Sequence, residues 1–335
     1  MLRFVRYTMA ALVMMGLLAV VAVGCGDDEG DEPIAIGTPN ASGFPVTLEG
    51  SDGTSVTLQA PPRRMVVLSP GHVETLFAIG AGDAVVAVDE NTDYPPEAAA
   101  IELKLSGLEP SAEAIANLDP DLVIMSFAPE GFVEQLQGLD VPVWLDAIDT
   151  DITTVEGVFD SIEELGRATG HVDEAGTVVA GLQERLDGVR ERIADIEERP
   201  RVYLELDVFE GFNTVSPDDF VGDLIAKLNG QNIVEADEGN YPTLQQEAIV
   251  SRNPEVIVLA DAEFGQTPEV VSARPAWETI AAVQSDRVFA IDPDIISRPG
   301  PRIIDALEAL GALLYPGVFG GEESRSCWAC SDAAA

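Results

Sequence analysis

Positive charge is scarce in this sequence. Lys104 and Lys227 are its only lysines, and 18 Lys plus Arg stand against 59 Asp plus Glu, for a formal net charge of −41. So acidic a surface repels the phosphate backbone, which excludes nucleic acid as a partner, and it repels anionic lipid as well. Histidine and cysteine are scarcer still: His72, His171, Cys25, Cys327 and Cys330 are the whole supply. A zinc or manganese site built by the protein needs about three converging histidines or carboxylates, and two scattered histidines argue against one. Cys327 and Cys330 have the spacing of a redox or metal pair. No second pair completes a zinc site and no strand-to-helix turn frames them, so in an oxidising compartment they read as a local disulfide. A Gly-x-Ser-x-Gly elbow, a Walker-type phosphate loop and a motif-placed acid pair are all missing, so the sequence shows no catalytic constellation.

What is present fills two lobes. The chain has 335 residues and is 46% apolar, enough for real cores. Residues 1–24 read as a secretory signal: Arg3 and Arg6 give a basic start, residues 9–23 an apolar core, and small residues precede Cys25. Ala22-Val23-Gly24-Cys25 resembles a bacterial lipobox, which makes Cys25 the expected site of lipidation and the lipid the link to the membrane. Residues 26–40 are acidic and rich in Gly and Pro, a flexible tether. Residues 45–60 alternate around Gly50-Ser51-Asp52-Gly53 and predict a β-hairpin, so residues 25–62 read as an acidic tether and a β-hairpin ahead of the first lobe.

The remainder alternates strands with helices, the pattern of parallel sheets with right-handed crossovers. In the first lobe, residues 63–170, strands are expected at 65–69, 85–88, 122–125 and 141–145, with helices at 72–79, 130–139 and 153–169. Ser111 caps the helix that carries Glu113. In the second lobe, residues 200–318, strands are expected at 202–206, 256–260 and 288–291, and helices at 219–228, 243–251 and 302–314. Thr243 with Gln246 reads as a capping box. A loop-like tail follows over 319–335. Between the lobes, within residues 171–199, the segment 173–198 has no proline and one apolar stripe: Val178, Val179, Leu182, Leu186, Val189, Ile193 and Ile196. As a helix it would span roughly 39 Å. Similar strings lie on both sides of it. EAIANLDPDLVIM begins at Glu113 and EAIVSRNPEVIVL at Glu247, which suggests two related lobes joined by one rigid helix.

The strings RRMVVLSPGHVETLFAIGAGDAVVAV, DYPPEAAA, SAEAIANLDPDLVIMS, EAIVSRNPEVIVL and SRPGPRIIDALEAL, in that order, are similar to the substrate-binding proteins of ATP-binding cassette importers for cobalamin, iron-siderophore complexes and haem. The resemblance covers nearly all of residues 63–316. It implies an α/β fold of two Rossmann-like lobes joined by one long helix, with the ligand in the cleft between them. It also implies that each lobe presents a surface glutamate to arginines of the permease dimer, and by position these are Glu113 and Glu247. Cleft residues should come from loops at the carboxyl ends of strands. In the first lobe these are Pro70, Gly71, His72, Asn91, Tyr94, Gly107, Leu108 and Phe127; in the second they are Phe209, Phe212, Tyr241 and Arg298. Aromatic faces suit a flat macrocycle or a catecholate chelate. Cobalamin binders of the family place tryptophans in such loops, where Gly107, Ser126 and Tyr241 stand here, so the aromatic cage is thinner. His72 could instead ligate haem iron axially, or be an exposed helix-start residue.

The reading is therefore of a monomeric binding module without catalysis and without a resident cofactor. Cobalt or iron would enter inside the ligand. A corrinoid is favoured over a siderophore or haem, chiefly on SRPGPRIIDALEAL. An enzyme or a sensory lipoprotein on the same fold is the alternative from another class.

Overall fold

The structure is a computed structural model that describes residues 43–147 and 152–320. The targeting segment, the tether, Cys25, Cys327 and Cys330 lie outside the described residues. The hairpin expected over 45–60 forms from Val46–Glu49 (β1) and Ser55–Leu58 (β2), paired antiparallel.

Five strands then build the first sheet: Met65–Leu68 (β3), Val85–Asp89 (β4), Lys104–Leu105 (β5), Leu122–Met125 (β6) and Val143–Leu145 (β7). They pair in parallel in the order β5-β4-β3-β6-β7, with Val66 opposite Val123. Every residue of β3 and β6 is buried, as a parallel sheet covered on both faces requires. Pro70–Ala78 (α1), Pro96–Ala99 (α2), Ala112–Ala116 (α3) and Phe132–Gln137 (α4) lie in the connections. The Ser111 hydroxyl accepts from the Ala114 amide at 3.3 Å, so the expected cap of α3 forms.

Val155–Thr169 (α5) starts on Thr154, whose hydroxyl accepts from the Gly157 amide at 3.0 Å. It stops at Gly170, where φ is +79° and a residue with a Cβ would be strained. The reversal leads directly into Val172–Ile193 (α6), which packs so tightly on α5 that a Cβ at Gly166 would overlap that of Ala175. At 22 residues α6 spans about 33 Å, shorter than the sequence suggested. Asp195, Glu197 and Glu198 follow its end, where acids oppose the helix dipole, and Pro200 lies beyond Arg199.

The second lobe repeats the plan. Arg201–Glu205 (β8), Phe212–Asn213 (β9), Gln231–Asn232 (β10), Thr243–Leu244 (β11), Val256–Leu259 (β12) and Val288–Ala290 (β13) are its strands. The parallel sheet runs β10-β8-β12-β13, with Tyr203 opposite Ile257, while β9 and β11 form an antiparallel ribbon. Its helices are Phe220–Lys227 (α7), Gln246–Arg252 (α8), Pro268–Ser272 (α9), Ala281–Gln284 (α10), Pro293–Ser297 (α11), Ile303–Leu314 (α12) and Pro316–Phe319 (α13). The expected capping box at Thr243 does not form. Ribbon pairing claims that residue, its hydroxyl donates to Asn213 Oδ1 at 2.6 Å, and α8 begins three residues later without a side-chain cap.

One apolar cluster joins the lobes. It runs from Met65 and Ile124 through Leu165 of α5 and Leu182, Leu186, Val189 and Ile193 of α6 to Ile225 and Leu307. Separate clusters line the outer face of each sheet, around Val123 in the first and around Tyr203 and Trp277 in the second. Arg185 of α6 pairs with Asp305 and Glu308 of α12 at 2.6 Å each, and Lys227 of α7 pairs with Glu156 of α5 at 2.8 Å.

Candidate functional site

Strand order locates the site. In the first sheet the chain leaves β3 to one side for β4 and β5, then crosses to β6 and β7; in the second it leaves β8 for β10, then crosses to β12 and β13. Loops at the carboxyl ends of such strands diverge and open a crevice. The expected cleft residues Pro70, Gly71, Asn91, Tyr94, Gly107, Leu108, Phe127 and Phe209 all fall on or just beyond those ends.

The lobes meet at the floor. Ser69-Pro70-Gly71 opposes Arg298-Pro299-Gly300, and a Cβ at Gly71 would overlap the Pro299 carbonyl, so the contact needs glycine. Glu74 of α1 is buried and accepts from Arg302 Nε and Nη2 at 2.8 and 2.7 Å. Arg298 lies 3.7 Å from the same carboxylate. It also reaches Asp93 at 2.5 Å, Asp294 at 2.6 Å and the Asn91 carbonyl at 3.1 Å. The Tyr94 ring packs against the Arg302 guanidinium at 4.3 Å. Arg298 is thus a tie between lobes, through Nη1 to Asp93 and through Nη2 to the Asn91 carbonyl, with Nη2 also on Asp294. Burial alone would raise the Asp93 carboxyl, but the hydrogen bonds and charge of Arg298 hold it below the usual range. Burial and the adjacent Asp93 push Asp294 up to about 6.

His72 differs from both expectations. It is buried, with Nδ1 2.7 Å from Ser69 Oγ, Nε2 2.9 Å from Asp146 Oδ2, and an edge-on contact with Trp144. Both ring nitrogens are engaged, so neither is free for iron, and the residue is not an exposed helix start. Burial would raise Asp146, yet the hydrogen bond and charge of His72, with a further hydrogen bond from Ser161, hold it down.

The walls are apolar. Tyr94, Leu108 and Phe127 of the first lobe and Phe209 and Tyr241 of the second are exposed large side chains. Exposed apolar side chains gathered at strand ends mark a binding surface. Phe264, 80% exposed, belongs with them; it stands five residues beyond the end of β12, farther from its strand than Phe127 from β6, and the sequence expectation does not include it. The Tyr241 hydroxyl donates to Asp219 Oδ2 at 2.8 Å, which moors it to the start of α7. Gly107 is tight, since a Cβ there would overlap the Asp89 carboxylate. Phe212 is not a loop aromatic. It sits on β9, 5.6 Å from Trp277 and 5.0 Å from the Arg274 guanidinium, as backing for the wall.

Arg274 organises that backing. It donates to both oxygens of Glu205, which is fully buried, at 2.6 and 2.7 Å, and to Gln266 Oε1 at 2.7 Å, and it lies 4.6 Å over Trp277. In front is a cavity of about 290 Å³ lined by Asp207, Val208, Phe209, Asp261, Phe264 and Gln266. Burial, then the charge of Glu205, pushes the Asp261 carboxyl up to about 7. Another cavity, of about 440 Å³, is lined by Glu198, Pro200, Glu255, Arg287 and Tyr315 at the opposite, amino-terminal end of the second sheet. Among the described residues no group of three or more His, Cys, Asp or Glu is placed to hold a bare metal ion. Glu113 and Glu247 are exposed in the first turns of α3 and α8, and neither enters an ion pair among the described residues.

Two doubly wound lobes, facing one crevice and sharing a core along one helix, define a two-lobe binding protein. The chain belongs to the periplasmic binding protein family, whose pattern matches residues 65–295. It is 31% identical over 310 residues to the ABC transporter substrate-binding lipoprotein YvrC of Bacillus subtilis, spanning 90% of this chain and 96% of that one. It is 30% identical over 314 residues to a cobalamin-binding protein of Halobacterium salinarum, spanning 90% and 83%. Among solved structures, the vitamin B12-binding protein of Vibrio cholerae superposes with a TM-score of 0.66 at 26% identity, covering 76% of this chain and 97% of that one. The haem-binding protein RhuT of Roseiflexus sp. RS-1 superposes at 0.68 with 24% identity, covering 76% and 99%, a likeness of fold.

Proposed function

We propose that this chain is the extracytoplasmic capture subunit of an ATP-binding cassette importer. It takes a metal chelate of the corrinoid class into the cleft and presents it to a permease through Glu113 and Glu247, held at the membrane by a lipid on Cys25. The observation that carries the reading is the match to a cobalamin-binding relative over 90% of the chain, joined to a cleft whose exposed rings suit a flat macrocycle. The metal comes inside the ligand; the chain's residues bind and orient and transfer no group. Native mass spectrometry with cyanocobalamin, haemin and ferric siderophores tests this. The expected result is a 1:1 complex with the corrinoid. Retention of haemin or a siderophore alone would replace the ligand and keep the role, and retention of none would remove both. Cys25→Ala should abolish lipid labelling and release the protein from the membrane; unchanged retention would refute the anchor.

A further inference from the structure

Six acids of the described residues are buried, and five have partners. Glu74 holds Arg302, Glu205 holds Arg274, Asp146 holds His72 and Ser161, Asp89 accepts from the Asn91 amide, and Asp219 accepts from the Val221 amide and Tyr241. Asp261 is the sixth. It is 2% exposed, and neither carboxylate oxygen has a hydrogen-bond partner. Such a group costs folding free energy and calls for an explanation. Asp261 stands two residues beyond the end of β12 and lines the 290 Å³ cavity together with Asp207. Asp207 has one oxygen fixed by the Phe209 amide at 2.8 Å and by Asn213 Nδ2 at 2.6 Å. Arg274 is the nearby cation, but its donors go to Glu205 and Gln266 and its faces to Phe212 and Trp277. Glu205, Asp207 and Asp261 against Arg274 leave this wall negative, with an acceptor unused and the rings of Phe209 and Phe264 exposed beside it.

We propose, resting on the capture reading above, that Asp261 and Asp207 form a subsite that takes N–H donors from the rim of the ligand. The cleft thereby selects planar chelates edged with amides or amines over those edged with carboxylates. A corrinoid rim of primary carboxamides fits. Haem propionates and anionic ferric tris-catecholates meet like charge, which a site built from acceptors rejects.

Two corrinoids with one ring and opposite rims test this: dicyano-cobyrinic heptaamide and dicyano-cobyrinic acid. Calorimetry with the full chain should show the amide bound about tenfold or more tightly than the acid, the scale of a hydrogen bond to a charged group. In Asp261→Asn that ratio should collapse, while at pH 8, above the titration of the Asp261 carboxyl at about 7, the ligand-free variant melts at a higher temperature because a buried unpaired charge is gone. A residue with a merely structural role would not give tighter folding with weaker selection. An unchanged ratio in Asp261→Asn and in Asp261→Ala overturns the subsite and leaves the capture reading standing. Preference of the wild type for cobyrinic acid or haemin overturns it too. Binding of no chelate by the wild type sinks the capture reading first, and the subsite with it, a pattern distinct from the other two.

Discussion

Glu74 and Arg302 come from opposite lobes, and their contact decides how the floor of the cleft behaves. The carboxylate side chain is 1% exposed and holds Arg302 through two bonds, with Arg298 beside it. Glu74→Gln would leave two guanidinium groups without their shared counter-charge, and removing one partner of a buried pair costs about 3–5 kcal/mol. Urea unfolding should show that loss; a change under about 1 kcal/mol would mean that solvent screens the cluster. Asp261 works in the opposite direction. Its folded-state carboxyl titrates at about 7 against an ordinary 3.8. The folded chain therefore keeps a proton that the unfolded chain has already released, and stability from this group falls as pH rises between about 4 and 7. Asp261→Asn should flatten that part of the stability–pH curve, and an unaltered slope would place the titration elsewhere. Cleft positions such as Gly71 and Asn91 were legible because they follow apolar runs that read as strands. Roles were not. Arg298 finds Asp93 205 residues away and His72 finds Asp146 74 residues away, and no local pattern encodes either meeting. Asp261 and Arg274 gave no signal at all, since being partnered or unpartnered is a property of the folded chain.

The helix α6 shows which elements a sequence reveals. Its stripe predicted seven apolar residues on one face: Leu182, Leu186, Val189 and Ile193 are buried, Val178 and Val179 are half-buried against the same cluster, and Ile196 packs there from beyond the helix end. Leu186 is fully buried in the cluster shared by both lobes. Leu186→Ala should cost about 2–5 kcal/mol, and the lobes should still melt in one transition because they share that cluster; two separate transitions would refute a common core. Proline-free and packed along much of its length, α6 resists bending, and the Arg298–Glu74–Arg302 ties hold the cleft floor. Solution scattering with and without cyanocobalamin should nearly superpose, and a large compaction on binding would sink this. The strands β3, β6 and β12 were legible as apolar runs because both of their faces are buried. The two-residue ribbon of β9 and β11 and the single turns α9 and α11 were not, being too short for a period to show and fixed instead by what packs on them.

For the whole molecule the governing quantities are a net charge of −41 and two exposed glutamates at matched places in the two lobes. A diffuse negative field steers encounter with a basic surface and fades beyond about 10 Å in 0.1 M salt. It gives rate and no register. Register needs specific groups, and Glu113 and Glu247 are suited to it: each is exposed in a helix first turn and enters no ion pair among the described residues. An acid in that position is also what the helix dipole favours, so the two roles must be separated by measurement. Neither residue lines the cavity beside Asp261 or the floor around Arg298, so charge removal should leave ligand affinity intact. Docking onto permease arginines would suffer, because the lost carboxylate strands its partner, at about 2 kcal/mol or roughly thirtyfold for each desolvated contact. The experiment is Glu113→Gln with Glu247→Gln, read as cyanocobalamin affinity by calorimetry and as uptake into vesicles carrying the permease. Raising the salt separates the field from the contacts, since wild-type uptake should slow moderately while the double mutant stays low throughout. Normal affinity with lost uptake is the expected result; normal uptake by the double mutant would return both glutamates to the helix dipole and leave docking to surfaces elsewhere on the lobes.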